Sequence, residues 1–116
     1  MGYPAKLFYH QKNIRKAFET YVVPEYIQHN PMIADGRYAA IALLEPMFLR
    51  PGARFDVKRI LVDSDLAAVH LHGQTNPENN GGAVVDLFRL KDGKIVEHWD
   101  VLQPIPEKSA NAHPMF

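Results

Sequence analysis

Asp86, His98 and Asp100 are the three residues of this 116-residue chain whose types and spacing could move a proton. They fall within AVVDLFRLKDGKIVEHWDVLQ, Ala83 to Gln103, which reads as two β-strands joined by the turn Lys91-Asp92-Gly93. Valine, leucine, phenylalanine, isoleucine and tryptophan dominate both arms, the composition of a pleated, half-buried surface. A bare carboxylate rarely sits in such a surface without a partner or a task. Asp100, next to Trp99, would be desolvated, and desolvation favours the protonated carboxyl over the charged form. A carboxylate tuned in this way can take a proton from the carbon beside a carbonyl and return it elsewhere. Should Asp86 share the pocket, like-charge repulsion would keep one of the two protonated, able to donate to a developing enolate oxygen. The competing structural reading makes Asp86 and His98 a cross-strand pair that only sets the register.

Turn chemistry decides whether the three meet. A three-residue loop with Gly93 in the left-handed conformation sets Leu90 against Lys94, Asp86 against His98 and Val84 against Asp100. Directly opposed residues point the same way, so all three polar side chains would then share one face. A two-residue Asp92-Gly93 loop would instead oppose Asp86 to Trp99 and split the trio between faces. The first register is the favoured one.

Further candidates lie on either side of this hairpin. Phe88, two residues from Asp86, shares its face and would line the same pocket. His29 and Asn30 fall between helical and sheet segments, where Asn30 could contact a ligand or an oxyanion, although an Asn before a Pro also serves as a turn residue. Tyr26 reads as core with its hydroxyl reaching a partner, at the edge of the same pocket. His70 and His72 alternate onto one strand face and join the pocket candidates. With His98 and a carboxylate they could in principle ligate a divalent metal, but two histidines on one strand are a weak signal and no metal site is expected.

The positioning elements follow from periodicity. Leu7, Ile14, Phe18 and Tyr21 recur at helical spacing over about Pro4 to Val23, as one helix or as two pieces with Asn13 capping the second. Pro24 ends it. Asp35 caps a helix to about Leu44, stopped at Pro46. Arg54 to Val62 and Leu66 to His72 read as strands around the turn Asp63-Ser64-Asp65. Gly73 to Gly82 is an exposed loop, and the segment from Pro104 drapes over the surface. Helices first and antiparallel strands after them make an α+β fold, with one domain over residues 1–116 and a cavity between helices and curved sheet.

Composition narrows the partners. Thirteen basic and thirteen acidic residues cancel, so no global field draws nucleic acid or anionic lipid. The chain holds no cysteine, which removes disulfides and thiol nucleophiles. No apolar run approaches the ~20 residues of a membrane span, and the N-terminus lacks a secretory apolar region, so a cytoplasmic location is expected.

DLFRLKDGKIVEHWDVLQ resembles the closing hairpin of the SnoaL-like polyketide cyclase family, within the NTF2-like superfamily. YIQHNP followed by Asp35-Gly36, and SANAHPMF, resemble its branch described as predicted aldol-condensation enzymes. The resemblance implies a cone-shaped α+β barrel, a deep apolar pocket for a small-molecule ligand, no cofactor, and a homodimer. It also implies that Asp100 matches the acid/base aspartate and Asn30 a pocket asparagine. Asp86 stands where the characterised cyclases have a pocket histidine, and Val84 where they have its polar partner. Three function classes follow: a cofactor-independent acid/base enzyme on a small, mostly apolar carbonyl compound (isomerase, aldol cyclase or dehydratase), a non-catalytic binding module with the same pocket, and a metal-dependent enzyme. Arg89, Glu97 and Trp99 should occupy the other sheet face, where a dimer partner would pack.

Overall fold

Two short helical pieces, not one long helix, open the computed structural model, which describes residues 6–116. The expected start at Pro4 lies outside the described residues. A π-helical turn spans Lys6–His10, and α1 spans Ile14–Tyr21. Asn13 caps α1, its side chain accepting the Lys16 amide at 3.3 Å. Ile14, Ala17 and Phe18 make its buried face, at the spacing of one helical stripe. Strand β1, Val22–Gln28, begins directly after α1 and carries Pro24 within it.

The second helix departs from expectation at both ends. Helix α2 spans Arg37–Phe48 and is capped by Gly36. Asp35 instead takes the backbone N–H of Gln28 at 2.9 Å, tying the helix entry to the end of β1. Pro46 lies inside the helix rather than stopping it. Proline forfeits one backbone hydrogen bond there, but the extra turn carries Phe48 onto Phe55, ring centroids 3.9 Å apart and stacked.

Four more strands follow: β2 Arg54–Asp63, β3 Leu66–Gln74, β4 Gly82–Lys91 and β5 Lys94–Pro104. The loop between β3 and β4 is therefore shorter than Gly73 to Gly82. The sheet order is β1-β5-β4-β3-β2, open at both edges, with β1 parallel to β5 and every other pair antiparallel. Val69, Leu71, Phe88 and Ile95 point from its concave face into a core shared with Ile14, Ala17, Phe18, Ala40 and Ile41 of the helices. This is the expected α+β, NTF2-like cone. No helix among the described residues is long and apolar enough to cross a membrane.

The β4–β5 register corrects the favoured one. Lys91 pairs with Lys94, so the loop has two residues, with Asp92 at φ 52° and Gly93 at φ 78°. A bulge at Val96 then shifts the ladder by one residue, and beyond it Phe88 opposes His98 and Asp86 opposes Asp100. Val84 opposes Leu102 rather than Asp100. The two-residue loop alone would have split the trio; the bulge brings His98 and Asp100 back to the concave side with Asp86.

Gly81 closes the β3–β4 loop over the cavity mouth. Its φ is 73°, and a Cβ there would lie 2.2 Å from the Gly73 carbonyl oxygen. The backbone approach admits no side chain. Gly81 also accepts the Ile105 amide at 3.0 Å, anchoring the start of the C-terminal segment.

Candidate active site

A cavity of about 560 Å³ lies between the helices and the concave sheet face, a size suited to a drug-sized ligand. Phe8, Phe18, Leu44, Phe48, Phe55, Leu71 and Val84 are among its apolar walls. One end is polar, formed by Tyr9, Gln28, Asn30, Asp86, His98 and Asp100. Strand alternation supplies most of it. Tyr26, Gln28 and Asn30 project inward along one line; Asp86 and Phe88 do so on β4, His98 and Asp100 on β5.

Asp86 is held on both oxygens. The Tyr9 hydroxyl donates to Oδ2 at 2.5 Å, and His98 Nε2 lies 2.9 Å from Oδ1. Burial first, and then the Asp86 charge, raise the Tyr9 phenol well above its ordinary value, so it stays a donor. Asp100 is held differently. The Asn30 side-chain amide donates to Oδ1 at 3.1 Å and Oδ2 at 2.8 Å, and His98 Nε2 lies 3.8 Å from Oδ2. The Asp100 side chain is 20% exposed against 14% for Asp86, which makes it the carboxylate more open to a ligand. Behind them, His98 Nδ1 meets Gln28 Oε1 at 2.8 Å and the Gln28 amide donates to the Tyr26 hydroxyl at 2.8 Å. Burial likewise raises the Tyr26 phenol. Phe88, tilted 30° against His98 at 5.2 Å, walls the imidazole on the cavity side.

Asp86, His98 and Asp100 each offer a ligand atom, all within 4.8 Å of one another, a set that could also hold a divalent ion. It is not the arrangement of His70 and His72 with His98 that the sequence weakly offered.

Three expected pocket residues lie elsewhere. His29 alternates to the outer face, where Nε2 meets Glu97 Oε2 at 2.7 Å and its ring stacks on Trp99 at 4.8 Å. His70 and His72 also point outward, because Ala67, Val69 and Leu71 claim the buried side of β3. His70 contacts Arg59, and His72 reaches the Asn80 carbonyl at 2.7 Å and stacks on Phe116 at 4.6 Å. The metal arrangement of His70, His72 and His98 is therefore split by the sheet. Tyr9 and Gln28 were missed. Gln28 was readable as the middle of the alternating Tyr26, Gln28, Asn30; nothing in the sequence around Tyr9 marks it.

Arg89, Glu97 and Trp99 do share the outer face. Arg89 Nε donates to Glu97 Oε1 at 2.8 Å. The His29 and Arg89 hydrogen bonds hold the Glu97 carboxyl below its ordinary range. A carboxyl lowered on folding stabilises the fold above its unfolded value of about 4.3, and that contribution fades as pH falls through the lower folded value. Wild-type stability should thus drop more steeply than that of Glu97→Gln below about pH 4.3, read as denaturation midpoints across a pH series. Parallel curves would contradict it.

The fold and cavity have counterparts among solved structures. An NTF-2 like protein from Burkholderia xenovorans LB400 superposes with a TM-score of 0.68 at 19% identity, over 86% of this chain and 77% of that one. A protein from Jannaschia sp. CCS1 described as a SnoaL-like polyketide cyclase gives 0.63 at 22% identity, over 84% and 80%. One from Agrobacterium tumefaciens C58 described as an isomerase of the SnoaL-like family gives 0.64 at 15%, over 79% and 82%. No curated protein sequence matches the chain. The sequence profile of the SnoaL-like domain matches residues 8–98, a span that runs from the Tyr9 side of the cavity to His98 on β5. The chain belongs to the SnoaL-like domain family.

Proposed function

We propose that this protein is a cofactor-independent acid/base enzyme acting on a small, mostly apolar carbonyl compound held in the cavity. The observation that carries the reading is the unequal holding of the two carboxylates: Asp86 is held by two groups, one on each oxygen, whereas Asp100 is more exposed to the cavity and, among the described residues, is hydrogen-bonded by the Asn30 amide alone. In this reading an Asp100 oxygen takes the α-proton, and the C–H electron pair becomes the enolate double bond. Charge moves to the carbonyl oxygen, and the proton shared by His98 Nε2 and Asp86 Oδ1 is the acid that meets it. Where a C=C is conjugated with the enolate, Asp100 then returns its proton to the far carbon, giving isomerisation; otherwise the enolate carbon attacks a second carbonyl and the alkoxide so formed takes the proton from Asp100, giving an aldol product. The descriptions of the Jannaschia and Agrobacterium proteins, a cyclase and an isomerase, are consistent with this class. Exchange of the α-protons of a bicyclic ketone such as 2-tetralone for deuterium, followed by proton NMR, tests it. Protein-dependent exchange is expected. Exchange at the buffer rate would favour the binding-module reading, in which the bonded Asp86–His98–Gln28 chain only shapes the pocket.

The same reading includes a homodimer. The outer sheet face carries Trp99, the His29–Glu97–Arg89 cluster and Val101, which is 65% exposed, a mixed surface that a second copy could match. Sedimentation should return the dimer mass at micromolar concentration and the monomer mass for Val101→Glu. A wild-type monomer would overturn the assembly.

A further inference from the structure

We infer that Gln28 is a positioning residue that fixes His98 in one tautomer and ties both carboxylates to a single amide oxygen. Parallel pairing of β1 with β5 sets Gln28 beside His98. The backbone N–H of Gln28 is itself held by Asp35 at 2.9 Å, so the side chain starts from a fixed point. Oε1 then receives two nitrogens: the Asn30 backbone N–H at 3.0 Å and His98 Nδ1 at 2.8 Å.

A backbone N–H can only donate, so the Asn30 contact identifies the Gln28 atom as its carbonyl oxygen. An amide flipped by 180° would set its NH₂ against that N–H. The oxygen accepts only, and His98 Nδ1 must therefore carry a proton. Nε2 is left as the nitrogen that exchanges a proton with the site, 2.9 Å from Asp86 and 3.8 Å from Asp100.

The second arm starts from the same oxygen. Holding the Asn30 amide sets the turn in which Asn30 Oδ1 accepts the Met32 N–H at 2.9 Å, and this aims the Asn30 NH₂ at both oxygens of Asp100. One acceptor thus orients the Asp86–His98 bridge and the Asn30–Asp100 pair together. The catalytic consequence rests on the acid/base reading above; the tautomer does not.

The test pairs two variants with a spectroscopic readout. Gln28→Leu removes the acceptor. Gln28→Glu keeps an acceptor for both nitrogens, and the Tyr26 hydroxyl can turn to donate. Long-range ¹H–¹⁵N correlation spectra of the imidazole should show His98 protonated at Nδ1 in the wild type and in Gln28→Glu, and a shift toward the Nε2–H form in Gln28→Leu. The rate of 2-tetralone exchange should fall roughly 10- to 100-fold in Gln28→Leu with little change in KM, and recover in Gln28→Glu. A bare Nδ1 in the wild type would overturn the inference even if Gln28→Leu fails to fold. So would an unaltered tautomer in folded Gln28→Leu, or a Gln28→Glu protein as impaired as Gln28→Leu. A tautomer that switches while wild-type exchange stays at the buffer rate would overturn the acid/base reading and leave the lock standing.

Discussion

Asp100→Asn should lower the exchange of an enolisable ketone by roughly 100- to 10,000-fold, the range of a lost general base, while the protein keeps its fold. The substitution preserves shape and leaves an oxygen to accept from Asn30, whose amide now contacts both carboxylate oxygens. What disappears is the proton-accepting lone pair turned toward the cavity. Binding of the ketone should change little, because apolar walls supply most of the contact, so the loss falls on kcat rather than KM. The residue opposite Asp100 on β4 is another carboxylate, Asp86, and among the described residues only the Asn30 side chain hydrogen-bonds it, so removing this partly buried charge should leave stability equal or slightly higher. Ligand-observed NMR for binding, proton exchange for rate and thermal melting for stability separate the three effects. Exchange within a few-fold of wild type would move the base elsewhere in the cavity.

Asp86→Ala is expected to act mainly on stability. Its carboxylate receives the buried Tyr9 hydroxyl and lies against His98 Nε2, with the His98 and Asp86 side chains only 12% and 14% exposed. Truncation strips partners from two groups that water reaches poorly, and breaking such a pair costs about 2–4 kcal/mol after allowing for the residual exposure. For a chain of this size that lowers Tm by roughly 10 °C. Asp86→Asn should be milder, since an amide can still accept from Tyr9 and donate to an unprotonated Nε2. Equal melting temperatures for Asp86→Ala and wild type would show the Tyr9–Asp86–His98 chain to be slack.

The α+β order was legible because helix and strand periods differ, and Asn13, Asp63-Ser64-Asp65 and Asp92-Gly93 mark real boundaries. The hairpin's register was not. A bulge has no residue signature in Lys-Ile-Val-Glu; Val96 becomes the unpaired residue because Ile95 must be buried at 1% exposure while His98 must also face inward. That is a tertiary demand, invisible to local propensity. Histidine facing failed for a related reason. Alternation says that His70 and His72 share a side, and only the burial of Val69 and Leu71 says which. Pro46 misled because a helix tolerates proline where packing on the far side, here Phe48 on Phe55, outweighs the lost bond. Tyr9 reaches Asp86 across 77 positions of chain, a contact that no spacing within a short window encodes.

The unpaired Val96 makes the hairpin obey a parity rule. Residues before it are registered by the tight turn, and residues after it by the cavity and by β1. Lengthening or shortening the tip by one residue would move Glu97 and Trp99 into the cavity and turn His98 and Asp100 outward, unless the bulge were lost at the same time. A change of two residues would preserve the facing. Tip length and bulge therefore vary as a coupled pair, and relatives that differ by one residue in this turn should differ in the bulge as well.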